Sequence, residues 1–207
     1  MLVWSIIQAA GWPIWTIILA SVVSVAIILE RLYSLRGRLV APSNLVDDAI
    51  QAYHLAGAGG KLVEQLAAHS PLGRVLSAGL RNAASSREVM KEAIEDEGRL
   101  VGHKLERYLT TLGTIAAMAP LLGLLGTVIG MIEIFGSQSP SGTNPQALAH
   151  GISVALYNTA FGLIVAIPSM MFYRHFRAKI DSLLVEMEAQ AIRLVDAVQG
   201  VRNGRQG

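Results

Sequence analysis

Three long stretches of this chain carry almost no charge, and that leaves few ways to fold it. The first runs from Met1 to Leu29 with no charged residue and is densest from Trp12 to Leu29. The second runs from Tyr108 to Phe135 with Glu133 as its only charge, and the third from about Ala147 to Tyr173 with none. A helix needs about 20 mostly apolar residues to cross about 30 Å of hydrocarbon. Each stretch meets that length, so the chain reads as all-α, a polytopic membrane protein with three transmembrane helices. Composition agrees: 15% of the 207 residues are charged, against about 25% in a soluble domain. The formal net charge of +2 is too small to drive nucleic-acid binding by counterion release. The sequence has no cysteine, which excludes disulfides and thiolate chemistry.

The basic residues sort by side. Of the seventeen Lys and Arg, eleven lie between Arg31 and Arg107, six between Arg174 and Arg205, and none before the first span or in the 136–146 connection. The positive-inside rule makes the long middle segment and the tail cytoplasmic, with the N-terminus and the short loop outside. Positive charge follows the first apolar run instead of preceding it, which marks a retained anchor and not a cleaved signal. The expected organisation is an outside segment and first span over residues 1–32, a cytoplasmic helical segment over 33–107, a second span over 108–135, a periplasmic loop over 136–146, a third span over 147–173 and a cytoplasmic helical tail over 174–207.

Two spans are expected to extend beyond the bilayer as helix. Ser85-Ser-Arg-Glu88 is a capping box. It opens a run through Val89, Ala93, Leu100, Leu105 and Leu109 with no turn signal, so one helix is expected from Ser86 to Phe135. The third span keeps helical spacing through Ile180, Leu183, Leu184, Met187, Ala191, Leu194, Val195 and Val198, to about Gln199. Pro42-Ser43, the glycines from Gly57 to Gly60, and Ser70-Pro71 divide the stretch between into shorter helices.

The spans are not uniformly apolar. The second carries Ala116, Ala119, Gly123, Gly126, Thr127 and Gly130 three or four residues apart, and Gly126-x-x-x-Gly130 is the spacing for close helix approach. The third carries Ala155, Thr159, Gly162, Ala166 and Ser169 on one face, with Ser153, Tyr157 and Asn158 towards its outer half. A polar group in hydrocarbon is costly without a partner or water, so these residues should face protein or a wetted cavity. A pair of helix interfaces, with Thr159 bonded back to the Ala155 carbonyl, would account for the strips. A water-lined pathway past Thr127 and Thr159 would do so as well. Pro120 and Pro168 each free the carbonyl four residues earlier, those of Ala116 and Ile164. Glu133, near the outer end of its span, either snorkels to the interface or binds protons.

No span has a carboxylate, histidine or lysine at its centre, so proton conduction would need a titratable group from a partner. His54, His69, His103, His150 and His175 show no metal-ligand spacing and read as surface or interfacial, so no metal or cofactor is expected. No GxSxG, HExxH, P-loop or GxGxxG motif is present, and an enzyme is not expected.

The stretch Ala119-Pro-Leu-Leu-Gly-Leu-Leu-Gly-Thr-Val-Ile-Gly-Met-Ile-Glu-Ile-Phe135 resembles a core membrane helix of the MotA/TolQ/ExbB proton-channel family. So does Gly151-Ile-Ser-Val-Ala-Leu-Tyr-Asn-Thr-Ala-Phe-Gly-Leu-Ile-Val-Ala-Ile-Pro168, and Ile28-Leu-Glu-Arg-Leu-Tyr33 is similar to the exit of the family's first span. The fit to the ExbB/TolQ branch covers nearly the whole chain. The resemblance implies a homo-oligomer, a pentamer, in the bacterial inner membrane around the two single-span helices of an ExbD/TolR-like partner dimer. Proton flow would drive movement passed to a TonB- or TolA-like transducer, or to gliding machinery. It also implies that the partner's aspartate carries the proton, that Thr127 and Thr159 face the pore and that Pro120 and Pro168 are the family's intramembrane prolines. Val154 stands where ExbB and TolQ commonly have glutamate, and Glu133, or water held by Ser153, Tyr157 and Asn158, is the candidate to replace it. A passive envelope scaffold is the competing expectation.

Overall fold

The structure, a computed structural model, describes residues 11–136 and 145–206; the side chains of Ala56, Ala147 and 201–206 are not described. The expected segments at 1–10 and 137–144, which include most of the short loop, lie outside the described residues. Eight helices make up the described chain: α1 Pro13–Ser34, α2 Gly37–Val40, α3 Leu45–Ala56, α4 Gly60–His69, α5 Pro71–Arg81, α6 Arg87–Leu105, α7 Leu109–Gly136 and α8 Pro145–Gln206. No strand occurs among the described residues. Three helices, α1, α7 and α8, are long and apolar enough to cross a membrane.

The chain forms two compact units. One takes in Met1–Glu30 and Tyr108–His175, the other Arg31–Arg107 and Phe176–Gly207. In the first unit α7 and α8 run antiparallel and touch along a line of small residues. A Cβ added at Gly162 would lie 2.5 Å from the Ala119 carbonyl oxygen, and one at Gly130 would lie 3.0 Å from Ala155 Cβ. Further along, Gly151 meets the Ile134 side chain. The glycines are therefore spent on backbone approach within the chain, which is what small residues do between membrane helices. Helix α1 runs parallel to α8: Ser24 Oγ and Ser169 Oγ, both buried, are 2.6 Å apart, and Ser169 also donates to the Val165 carbonyl. Helices α7 and α8 continue through Pro120 and Pro168 without interruption.

The second unit is a helical cluster centred on α5, which packs on α4 and α6. Ser70 caps α5 by accepting from the Gly73 N–H at 3.1 Å, and Pro71 fills the first helical position, where its missing donor costs nothing. Leu72, Leu76 and Leu80 of α5 and Met90 of α6 are fully buried. From α8 the face Ile180, Leu183, Met187, Ala191, Leu194 and Val198 closes the core, at the helical spacing expected from sequence. The foot of α1 joins this unit through Arg31, buried to 4% exposure, whose guanidinium donates to the Leu105 carbonyl at 2.9 Å. That carbonyl ends α6 and would otherwise lack a partner within the helix.

The structure departs from expectation at α6. The segment expected as one helix from Ser86 to Phe135 is two, parted by a turn at 106–108 in which Tyr108 adopts φ +65°. The N-cap is Ser86, one residue later than the Ser85 to Glu88 pattern implies, and it accepts from the Val89 N–H. The buried face of α6 is Met90, Ile94, Val101 and Leu105, while Val89 and Leu100 are exposed.

Candidate functional site

Where α7 faces the apolar first part of α8, the antiparallel register brings the two span threonines together. Thr127 Oγ1 lies 2.5 Å from Thr159 Oγ1, and also 3.2 Å from the Gly123 carbonyl of its own helix and 3.2 Å from the Ala155 carbonyl across the seam. Thus the hydroxyl that reaches Ala155 is Thr127, not Thr159. Each hydroxyl has one proton to give and two lone pairs. If Thr159 donates to Thr127, Thr127 donates to a carbonyl and Thr159 presents lone pairs outward. If Thr127 donates to Thr159, Thr159 presents its proton outward. Both threonines are half-buried, so the pair can hydrogen-bond an adjoining group as acceptor or as donor. A carboxylic acid and a carboxylate need those two faces in turn.

Asn158 is 1% exposed and lies in the seam itself. A Cβ at Gly123 would be 2.7 Å from its carbonyl oxygen, and one at Gly126 would be 2.8 Å from its Cβ and Cγ. At 3.6 residues per turn, Gly126 and Asn158 fall on the flank of the seam away from Thr127 and Thr159. The other expected pathway residues disperse. Ser153 donates to the Ala149 carbonyl on an exposed face, and Tyr157 is exposed; both stand on the side of α8 opposite the seam. Glu133 is exposed and lines a cavity with His150, Val154 and Asn158. Reading Ser153, Tyr157 and Asn158 as one polar group therefore does not match the helix geometry. His150 had no spacing signal in the sequence, because its neighbour Glu133 comes from another helix. No group of three or more metal-ligating side chains occurs among the described residues.

The profile of the MotA/TolQ/ExbB proton channel family matches residues 67–189, a range that holds α7, the threonine pair and most of α8. The chain belongs to that family. Its similarity is to the ExbB-like branch. It is 33% identical to biopolymer transport protein ExbB-like 3 of Synechocystis over 163 residues, covering 76% of this chain and 77% of that one. It is 32% identical to biopolymer transport protein exbB1 of Vibrio cholerae over 171 residues, covering 79% and 74%. Against biopolymer transport protein ExbB of Aquifex aeolicus the identity is 35% over 115 residues, covering 55% and 77%. Membership brings a proton-channel framework in which the seam between α7 and α8 gains chemical meaning.

Proposed function

We propose that this chain is an inner-membrane proton-channel and motor subunit of the ExbB/TolQ type, with no enzymatic activity of its own. Copies of the chain, a pentamer, surround the single-span helices of an ExbD/TolR-like partner dimer. Proton motive force becomes mechanical work handed to a TonB- or TolA-like transducer for outer-membrane transport or envelope processes. The N-terminus is outside and the C-terminus cytoplasmic.

The observation that carries this reading is the Thr127–Thr159 pair at 2.5 Å, half-buried on one flank of the seam. A partner aspartate beside the pair would be met in both protonation states, as acid by lone pairs and as carboxylate by a proton. The chain supplies the switchable hydroxyls and the partner the titrating group, which fits the absence of charge from the middle of all three apolar stretches. The experiment is proton flux into liposomes holding the chain and its single-span partner. Thr159→Val removes the outward group and is expected to cut flux about tenfold or more, the scale of a hydrogen bond lost to a charged group. Thr159→Ser retains the hydroxyl and should keep most of the flux. Wild-type flux in Thr159→Val defeats the reading, and a complex that passes no protons under any condition is a scaffold.

A further inference from the structure

A cavity of about 330 Å3 lies among the start of α1, the last turns of α7 and the first turns of α8. Its titratable lining comes from two helices. Glu133 stands on α7 and His150 on α8, while Pro13 of α1 and Gly11 just before it do not titrate. Inward it reaches Asn158, buried in the seam, and its wall includes Gly126, Gly130 and Gly151, which pack closely against Asn158, Ala155 and Ile134. At about 30 Å3 per water molecule, the space suits on the order of ten waters. Water in such a place needs polar partners, and the carboxylate, the imidazole and the amide supply them at opposite ends.

We propose that this cavity is a wet vestibule in which Glu133 and His150 exchange protons with the aqueous phase at that end of the spans. It is a site separate from the threonine pair. Its role in conduction rests on the proton-channel reading; its wetness does not. A charged carboxylate in a span is costly when lipid surrounds it, and water in the pocket relieves that cost. The carboxylate takes a proton from a hydronium ion in the vestibule and releases water, and the imidazole takes a second at its free ring nitrogen. Both return their protons to cavity water. Asn158 closes the inner end, and it adjoins Thr159 in the chain.

Two measurements on the reconstituted complex with its single-span partner test this. Because the sequence has no cysteine, Val154→Cys and Ile129→Cys place single thiols on the cavity wall. Both should react with a charged, membrane-impermeant methanethiosulfonate, while Leu124→Cys, on an exposed apolar face of α7, should not. Failure of both wall thiols to react overturns the vestibule whatever the flux. In the second measurement, the combined Glu133→Gln and His150→Gln variant should lower flux roughly three- to tenfold at mildly alkaline outside pH, where collecting scarce protons limits the rate. The loss should shrink on acidification. A pH-independent loss, or flux equal to wild type, overturns the proton-exchange role. If the double variant conducts normally while Thr159→Val does not, this inference fails and the channel reading stands; if both conduct normally, both fail.

Discussion

Ser86 closes a small circuit at the start of α6. Its hydroxyl oxygen accepts from the Val89 N–H at 3.4 Å, and the Glu88 carboxylate stands close enough for the hydroxyl to favour its charged form. Glu88's own backbone N–H first, then the Ser86 hydroxyl, with Arg87 and Lys91 nearby, hold its carboxyl below the usual glutamate value. Its contribution to stability is therefore complete above the unfolded-state value and fades as pH falls through the lower folded one. Replacing the cap, Ser86→Ala, should cost about 1 kcal/mol of stability, seen as a lower midpoint in a denaturant titration. It should also bring the Glu88 carboxyl closer to its ordinary value by NMR titration and so weaken the acid-side loss of stability. That Thr127 and Thr159 stand at mid-span on small-residue strips was legible at this scale; that the two hydroxyls bond to one another was not. Nor was the Ala155 carbonyl as a partner of Thr127, because a bond across a seam depends on the register of two helices, here joining residues 28 positions apart. Ser85 and Ser86 both offer a hydroxyl, and only the backbone entry into the helix decides which one caps.

Among the elements, the helices themselves were readable and their faces less so. Charge gaps fixed α1, α7 and the apolar part of α8, and the Ser70-Pro71 signal fell at the start of α5. The break between α6 and α7 carried no signal: residues 104–109 contain neither glycine nor proline, and Tyr108 takes the left-handed conformation that such residues rarely adopt. The exposed Val89 and Leu100 misdirect the reading of α6, because single apolar residues on a surface are ordinary and cannot be told from core by periodicity alone. Two glycines separate packing from propensity. Gly162→Ala would place its Cβ 2.5 Å from the Ala119 carbonyl oxygen and 3.2 Å from Gly123 Cα, both backbone atoms that cannot swing aside. Prising α7 from α8 in this way should cost about 1–3 kcal/mol, measured as lost resistance to unfolding in detergent, with flux impaired in parallel. Gly98→Ala meets open space in the middle of α6 and should instead gain up to about 1 kcal/mol from helix propensity. Equal effects of the two substitutions would mean that the α7–α8 seam is not close-packed.

For the whole molecule, the sequence's two kinds of segment became two compact units, each drawn from discontinuous stretches of chain. The sorting of charge along the chain was legible, since every Lys and Arg falls between Arg31 and Arg107 or between Arg174 and Arg205; the gathering of these stretches into two units was not. The tertiary ties within the second unit were not legible, since Arg193 with Asp47 and Arg87 with Asp196 join residues more than 100 positions apart. These pairs are about half exposed and contribute about 0–1 kcal/mol each; the orientation of the chain rests on the charge asymmetry itself. The bias acts through Lys and Arg near the span ends, here Arg31, Arg36, Arg38, Lys104, Arg107 and Arg174, so the second unit should remain on the cytoplasmic side. Leu55, 89% exposed near the end of α3, is a suitable reporter in a chain without cysteine. Leu55→Cys in intact spheroplasts should resist a membrane-impermeant maleimide and become labelled once the membrane is opened. Labelling before opening would invert the topology and put Glu133 and His150 on the cytoplasmic face.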